Sequence, residues 1–185
     1  MPWKNGGGET REILVSPPGA TLDTLHWRVS LATVASDGPF SVFAGVQRTL
    51  CVIRGAGIRL QVGDAPPAAL LENSTPYSFD GEAPTSATLI DGSIVDLNVM
   101  TRRGRWRHAV KRVTCKDSVQ LEISARLTMV LCQRGKLTCT AGNDSLDLAS
   151  EDCAVIDGDV PLISLRSADP AEVLVIELSP EGPAA

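Results

Sequence analysis

Along almost the whole chain, apolar residues come in short runs that alternate with polar ones and break at turn-forming residues. No window sustains a 3.6-residue apolar period, which excludes a helical architecture. From Trp27 to Val34, the side chains of Trp27, Val29, Leu31 and Thr33 share one face and those of Arg28, Ser30, Ala32 and Val34 the other. Similar runs are Arg11–Val15, Thr49–Ile53, Ile58–Val62, Thr88–Ile90, Ile94–Met100, Val119–Ile123, Leu127–Cys132, Lys136–Thr140, Cys153–Ile156, Leu162–Leu165 and Val173–Leu178. Between them stand turn signals such as Asp37-Gly38-Pro39, Gly55-Ala56-Gly57, Asp91-Gly92 and Gly142-Asn143-Asp144. The pattern predicts an all-β sandwich or barrel. Any helix is confined to a short turn near Pro17–Leu22.

An internal repeat follows from the same runs. Tyr77–Pro84 parallels Ala154–Pro161, and Leu50–Gly57 parallels Thr128–Gly135, at offsets of 77 and 78. Ile94–Met100 falls opposite Ala171–Glu177. The 185 residues suffice for one large domain or two small packed halves. The join is predicted at Thr101–Asp117, where Arg102, Arg103, Arg105, Arg107, Lys111, Arg112 and Lys116 crowd together. That run reads either as a solvated connection or as a positive rim for an anionic ligand or partner.

A net charge of -5 argues against a general nucleic-acid binder. No stretch approaches the ~20 apolar residues of a membrane span, and the N-terminus lacks the apolar core of a signal peptide. The expected location is therefore the cytoplasm. Five cysteines with no C-x-x-C pair read as core residues or incidental thiols. The two histidines, His26 and His108, supply too few imidazoles for a metal-binding barrel, so neither metal nor other cofactor is expected.

Polar residues on strand faces are the candidates for function. Arg28 and Ser30 share a face, as do Asp96, Asn98 and Met100. In a closed barrel one face of each strand points inward, and a buried arginine must find an anion. Arg28 could pair with Asp96 or Glu9, could join Ser30 and Asn98 in holding a ligand carboxylate, or could face solvent; the residues alone leave these open. The opening segment Trp3-Lys4-Asn5-Gly6-Gly7-Gly8 lacks the order of a phosphate loop.

Met1-Pro2-Trp3-Lys4-Asn5-Gly6-Gly7-Gly8 with Thr10-Arg11, Trp27-Arg28-Val29-Ser30, Asp37-Gly38-Pro39-Phe40-Ser41 with Phe43 and Gly45, and Asp96–Arg102 together resemble the HutD/Ves family over the first ~105 residues. The resemblance implies a bicupin, two jelly-roll β-barrels packed together. On this chain that puts an N-terminal barrel at 1–105 and a C-terminal one at 106–185. It implies a metal-independent, small-molecule-binding protein, a regulator or sensor linked to histidine utilisation or to stress response. The ligand would be small and polar or anionic, such as formylglutamate or formiminoglutamate. The family motif residues are Trp3, Lys4, Asn5, Arg28, Ser30, Phe40, Ser41, Asn98 and Met100. In that role Lys4 and Arg28 would hold carboxylates, Asn5 and Asn98 would read an amide, and Phe40 and Met100 would form an apolar wall. No catalytic residue is assigned. Competing expectations are an enzyme using Asp96 or Glu9 as acid or base, and a protein-interaction module acting through the basic run. A homodimer is one assembly such a fold allows.

Overall fold

The structure is a computed structural model and describes Trp3, residues 7–158 and residues 160–182. Lys4 and Asn5 lie outside the described residues. The described chain is strands, turns and loops, without a helix. Two compact units emerge, one running up to Arg107 and one comprising His108–Glu181.

Unit 1 holds β1 (Gly8–Ser16), β2 (Trp27–Val34), β3 (Gly38–Pro39), β4 (Val46–Arg54), β5 (Ile58–Val62), β6 (Ala68–Leu70), β7 (Tyr77–Asp80), β8 (Thr85–Leu89) and β9 (Ile94–Arg102). They form a five-stranded sheet in the order β1-β2-β9-β4-β7 and a four-stranded sheet in the order β3-β8-β5-β6. Neighbouring strands run antiparallel. After β2 the chain moves back and forth between the two sheets, as in a jelly roll.

The alternation read from the sequence fixes which face points in. Val34, Leu50, Val52, Phe79 and Ile94 from the larger sheet pack with Ile58, Leu60, Leu70 and Ala87 from the smaller one. Each fully buried Leu or Ile contributes roughly 1.5–3 kcal/mol of transfer free energy. The opposite face of the larger sheet, with Val29, Leu31, Cys51, Leu97 and Val99, is buried as well. Its central strands therefore carry apolar residues at nearly every position, and polar exceptions on the inner face stand out.

Unit 2 comprises most of β10 (Trp106–Glu122), then β11 (Leu127–Arg134), β12 (Lys136–Ala141), β13 (Asp144–Ala149), β14 (Cys153–Asp157) and β15 (Leu162–Pro180). Its sheet runs β13-β12-β15-β11-β14, with β10 also on β15. Val130, Cys132, Leu137, Cys139, Ile163, Leu165, Val173 and Val175 fill its core.

A bulge marks equivalent points in both units. In β4 the register against β9 shifts between Val52 and Arg54, and in β11 the register against β15 shifts between Cys132 and Arg134. A glycine with positive φ follows each, Gly55 at 104° and Gly135 at 95°. A side chain there would be strained. Arg54 thus corresponds to Arg134, and the sequence offset for this segment is 80 where the pattern suggests 78. Val52 pairs with Asp96 and Cys132 with Val173, which keeps the expected 77 for the later strands. The basic run is not a loop: beyond a turn it continues as β10, a strand of alternating half-buried and exposed residues.

Candidate functional site

Strand β9 lies at the centre of the five-stranded sheet, and its partners define rungs of inward-pointing side chains. Met100 pairs with Arg28 on β2 and with Arg48 on β4. One rung along, Asn98 pairs with Ser30 and Leu50; at the next, Asp96 pairs with Ala32 and Val52. Glu12 of β1 stands beside Ser30, and Phe79 of β7 beside Arg48. Direct partners in a ladder project from the same face. Since Leu50, Val52 and Phe79 belong to the inner core, so do the faces that carry Arg28, Ser30, Arg48, Asp96 and Asn98. Strands lie about 4.8 Å apart and same-face neighbours on one strand about 7 Å apart. The two arginines thus flank the central strand, and Asp96 and Asn98 sit side by side on it.

These groups are incompletely bonded. Arg28 Nε donates to Glu12 Oε2 at 2.8 Å, which settles its ion-pair partner as Glu12 and not Asp96 or Glu9. Its Nη2 is buried and, among the described residues, has no hydrogen-bond partner. The same holds for Arg48 Nε, Asp96 Oδ1 and Asn98 Oδ1. Only two further buried side-chain atoms among the described residues lack partners, Trp27 Nε1 and Thr128 Oγ1, and neither belongs to this face. An unpaired buried polar group costs ~1–3 kcal/mol, and native proteins rarely leave one. Four of them on one face of one sheet make this face the candidate site.

Burial sets the charge states. Asp96 is 1% exposed, and desolvation lifts its pKa from 3.8 to about 7, against the opposing pull of Arg48. Desolvation lowers Arg48 to about 10, with Asp96 working the other way. Arg48 is held by aromatic faces: its guanidinium carbon lies 5.3, 5.2 and 5.0 Å from the ring centres of Phe40, Phe43 and Phe79. Such stacking offsets part of the lost hydration. Arg48 Nη1 also donates to the Ser41 carbonyl at 3.4 Å.

The structure brings Arg28, Ser30, Asn98 and Met100 to one inward face. Trp3 and Phe40 pack against the same core; Trp3 Nε1 donates to Thr10 Oγ1 at 2.8 Å. Ser41 contributes its carbonyl to Arg48. Lys4 and Asn5 carry no structural description. Glu9 pairs with Thr33 on the opposite face, so it is not part of this cluster. The sequence does not mark Arg48, which stands just before the apolar run that starts at Thr49. Extending the alternation of Leu50 and Val52 back by one step would have placed it inward.

His26 Nε2 lies 3.3 Å from Arg105 Nη1, and burial lowers His108 to about 4. Among the described residues, no group of three or more His, Cys, Asp or Glu could hold a metal ion. No helix there is long and apolar enough to cross a membrane.

Residues 1–175 match the family model described as HutD. The chain belongs to the HutD family. It is 35% identical over 168 residues to an uncharacterised 21.2 kDa protein in the hutC 3' region of Pseudomonas putida, covering 90% of this chain and 86% of that one. Protein Ves of Citrobacter koseri is 43% identical over 110 residues, 59% of this chain; the match spans only 56% of Ves. Among solved structures, HutD from Pseudomonas fluorescens SBW25, in a formate condition, superposes with a TM-score of 0.84 at 33% identity, over 98% of this chain and 94% of that one. A cupin 2 conserved barrel domain protein from Leptotrichia buccalis gives a TM-score of 0.61 at 12% identity over 93% and 89%. That likeness is one of fold alone. This HutD-family member has the all-β fold the alternation predicted and the cupin-like form that the family resemblance implied.

Proposed function

We propose that unit 1 is a metal-independent binding barrel for a small carboxylate, and that the protein is a sensor or regulator of histidine utilisation rather than an enzyme. The observation that carries this reading is the half-buried, half-used Arg28. Glu12 occupies its Nε while Nη2 remains a donor without an acceptor, next to Ser30 and Asn98 on the same face. A ligand carboxylate completes such a guanidinium. Formylglutamate and formiminoglutamate offer carboxylates to Arg28 and Lys4 and nitrogen groups to Asn98 and Asn5, with Trp3, Phe40, Ser41 and Met100 around them. The name of the Pseudomonas putida relative supports the metabolic setting. We further propose that unit 2 is a second cupin barrel and that the protein works in the cytoplasm.

An acid–base enzyme is the second reading, favoured by Asp96, whose pKa near 7 suits proton transfer at neutral pH. The basic run gives less support to a macromolecular partner. Arg102 donates to the carbonyls of Ala44, Leu22 and Asp23. Arg103 pairs with Asp80 and Glu82, Lys111 with Glu177, and Arg112 bonds Gln133.

Calorimetric titration with formylglutamate, formiminoglutamate, urocanate and glutamate, repeated with Arg28→Ala, tests the proposal. Binding of one compound, lost in the variant, is the expected result. Turnover of a bound compound would favour the enzyme. No binding by folded protein would remove the histidine-pathway ligand.

A further inference from the structure

Strand β10 stands on β15 as β2 stands on β9. In unit 1 a further strand, β1, then covers the outer edge of β2 from Trp27 to Val34. Unit 2 has no counterpart of β1: among the described residues β10 makes one ladder, with β15. Its 17 residues span about 56 Å at roughly 3.3 Å each, and none is a proline. A free edge of that length is a template for another strand. Most of the basic run is already used within the chain, as the bonds of Arg102, Arg103, Lys111 and Arg112 show, and Arg105 lies beside His26. Arg107 and Lys116 differ: both are exposed and, among the described residues, make no ion pair or side-chain hydrogen bond. The same holds for Asp117 and Glu122 further along the strand. The unused charges of β10 therefore run from basic to acidic. A second β10 laid antiparallel reverses that order, so each positive half meets a negative half.

We propose that the free edge of β10 is the interface of a homodimer, in which two copies of this chain pair their β10 strands antiparallel about a twofold axis near the middle of the strand. The two β15–β10 ladders then join into one sheet that crosses the axis. Arg107 of each subunit comes alongside Glu122 of the partner subunit, and the twofold makes every such charge pair occur twice. Main-chain hydrogen bonds supply the attachment, as in other cases of strand addition, and the charge order sets direction and register. The axis also closes the assembly at two subunits: both edges are covered, and no further chain can add. The inference is independent of the ligand reading of unit 1.

Sedimentation velocity over a dilution series of the full chain tests the proposal, with wild type, Arg107→Glu, Glu122→Lys and the double variant. Wild type is expected to be a dimer that dissociates on dilution. Either single reversal turns two attractions into two repulsions and should weaken the dimer about tenfold. The double variant restores opposite charges and should return to within about threefold of wild type. Both side chains are exposed, so every variant should fold, which thermal melts verify. Amide hydrogen exchange locates the contact: β10 amides should exchange more slowly in concentrated than in dilute wild type, while those of β7, an edge strand of unit 1, should not change. Folded wild type that stays monomeric at its highest soluble concentration overturns the proposal. So does a dimer indifferent to the single reversals, a loss that the double variant does not recover, or β10 exchange that ignores concentration.

Discussion

Asp96→Asn should change how the stability of this protein depends on pH. The folded carboxyl has a pKa of about 7 against an ordinary 3.8. Below the ordinary value both folded and unfolded chains hold the proton, and Asp96 imposes no pH-dependent cost. As pH rises towards 7 the unfolded chain releases the proton while the folded one keeps it, so stability falls. Above 7 the loss is complete. Three pKa units at 1.36 kcal/mol each give about 4 kcal/mol. Asparagine mimics the neutral carboxyl and does not titrate. The variant should therefore gain about 4 kcal/mol over wild type between pH 4 and pH 8. Arg48, lowered only to about 10, stays protonated throughout this range and contributes no slope. His108, held near 4 by burial, destabilises the fold as pH falls from its ordinary 6.5 towards 4, but equally in both proteins. Urea melts of ligand-free wild type and variant at half-unit pH steps measure the difference directly. A difference that stays flat within about 1 kcal/mol from pH 4 to 8 would refute the burial argument.

Other consequences are simpler to check. A strong chelator should leave the melting temperature unchanged, since no metal-ligating group gathers among the described residues; a drop of several degrees would reveal a metal. In the folded protein the thiols should react slowly with a disulfide reagent at pH 8, because burial pushes Cys153 up to about 12 and Cys132 up to about 11; prompt modification of either contradicts this. Gly57→Ala should cost several kcal/mol in a denaturant melt. The residue sits at φ 112° and its new Cβ would lie 2.4 Å from the Leu70 carbonyl oxygen. A loss under about 1 kcal/mol would mean that the turn relaxes.

Where alternation alone decides the strand, the sequence is a good guide: β2 and β5 begin and end where the pattern says. It fails where a strand changes partner or carries charge. Leu162–Leu165 and Val173–Leu178 read as separate strands, because Asp169-Pro170 between them is a turn signal. In the fold they belong to one strand, β15. Its first part pairs with β12 as far as Arg166, and its second part pairs with β11 from Glu172. The proline falls between the two ladders, where its missing N–H costs nothing to either. β10 was hidden by the density of its arginines and lysines. The offset of 78 matches Gly57 to Gly135, whereas the strand register matches Arg54-Gly55 to Arg134-Gly135, and two glycines one residue apart give the amino-acid pattern no means of choosing. Within the candidate site, the shared faces of Arg28 with Ser30 and of Asn98 with Met100 are legible in the alternation, but the side to which each face turns is not, because Arg28 and Asn98 suit solvent as well as a polar interior. Arg48 is not legible, because a buried arginine at the edge of an apolar run looks like a solvated end until the aromatic faces around it are known.

The polar inner face of unit 1 is the less stable choice, and a substitution can show it. At the corresponding places unit 2 uses Val173 and Val175, both packed in its core. Replacing a buried charged set by apolar residues of similar volume is commonly neutral or stabilising by about 1–4 kcal/mol. The triple variant Arg48→Met, Asp96→Val, Asn98→Val removes three of the four unpartnered atoms together, leaving no half of the charge pair stranded. It should melt at a higher temperature than wild type and bind the carboxylate ligand more weakly. If the triple variant instead unfolds at a markedly lower temperature, the polar residues hold the barrel together and their unpaired atoms say nothing about a ligand. Higher stability joined to lost recognition would mean that the chain keeps Arg48, Asp96 and Asn98 for what they bind.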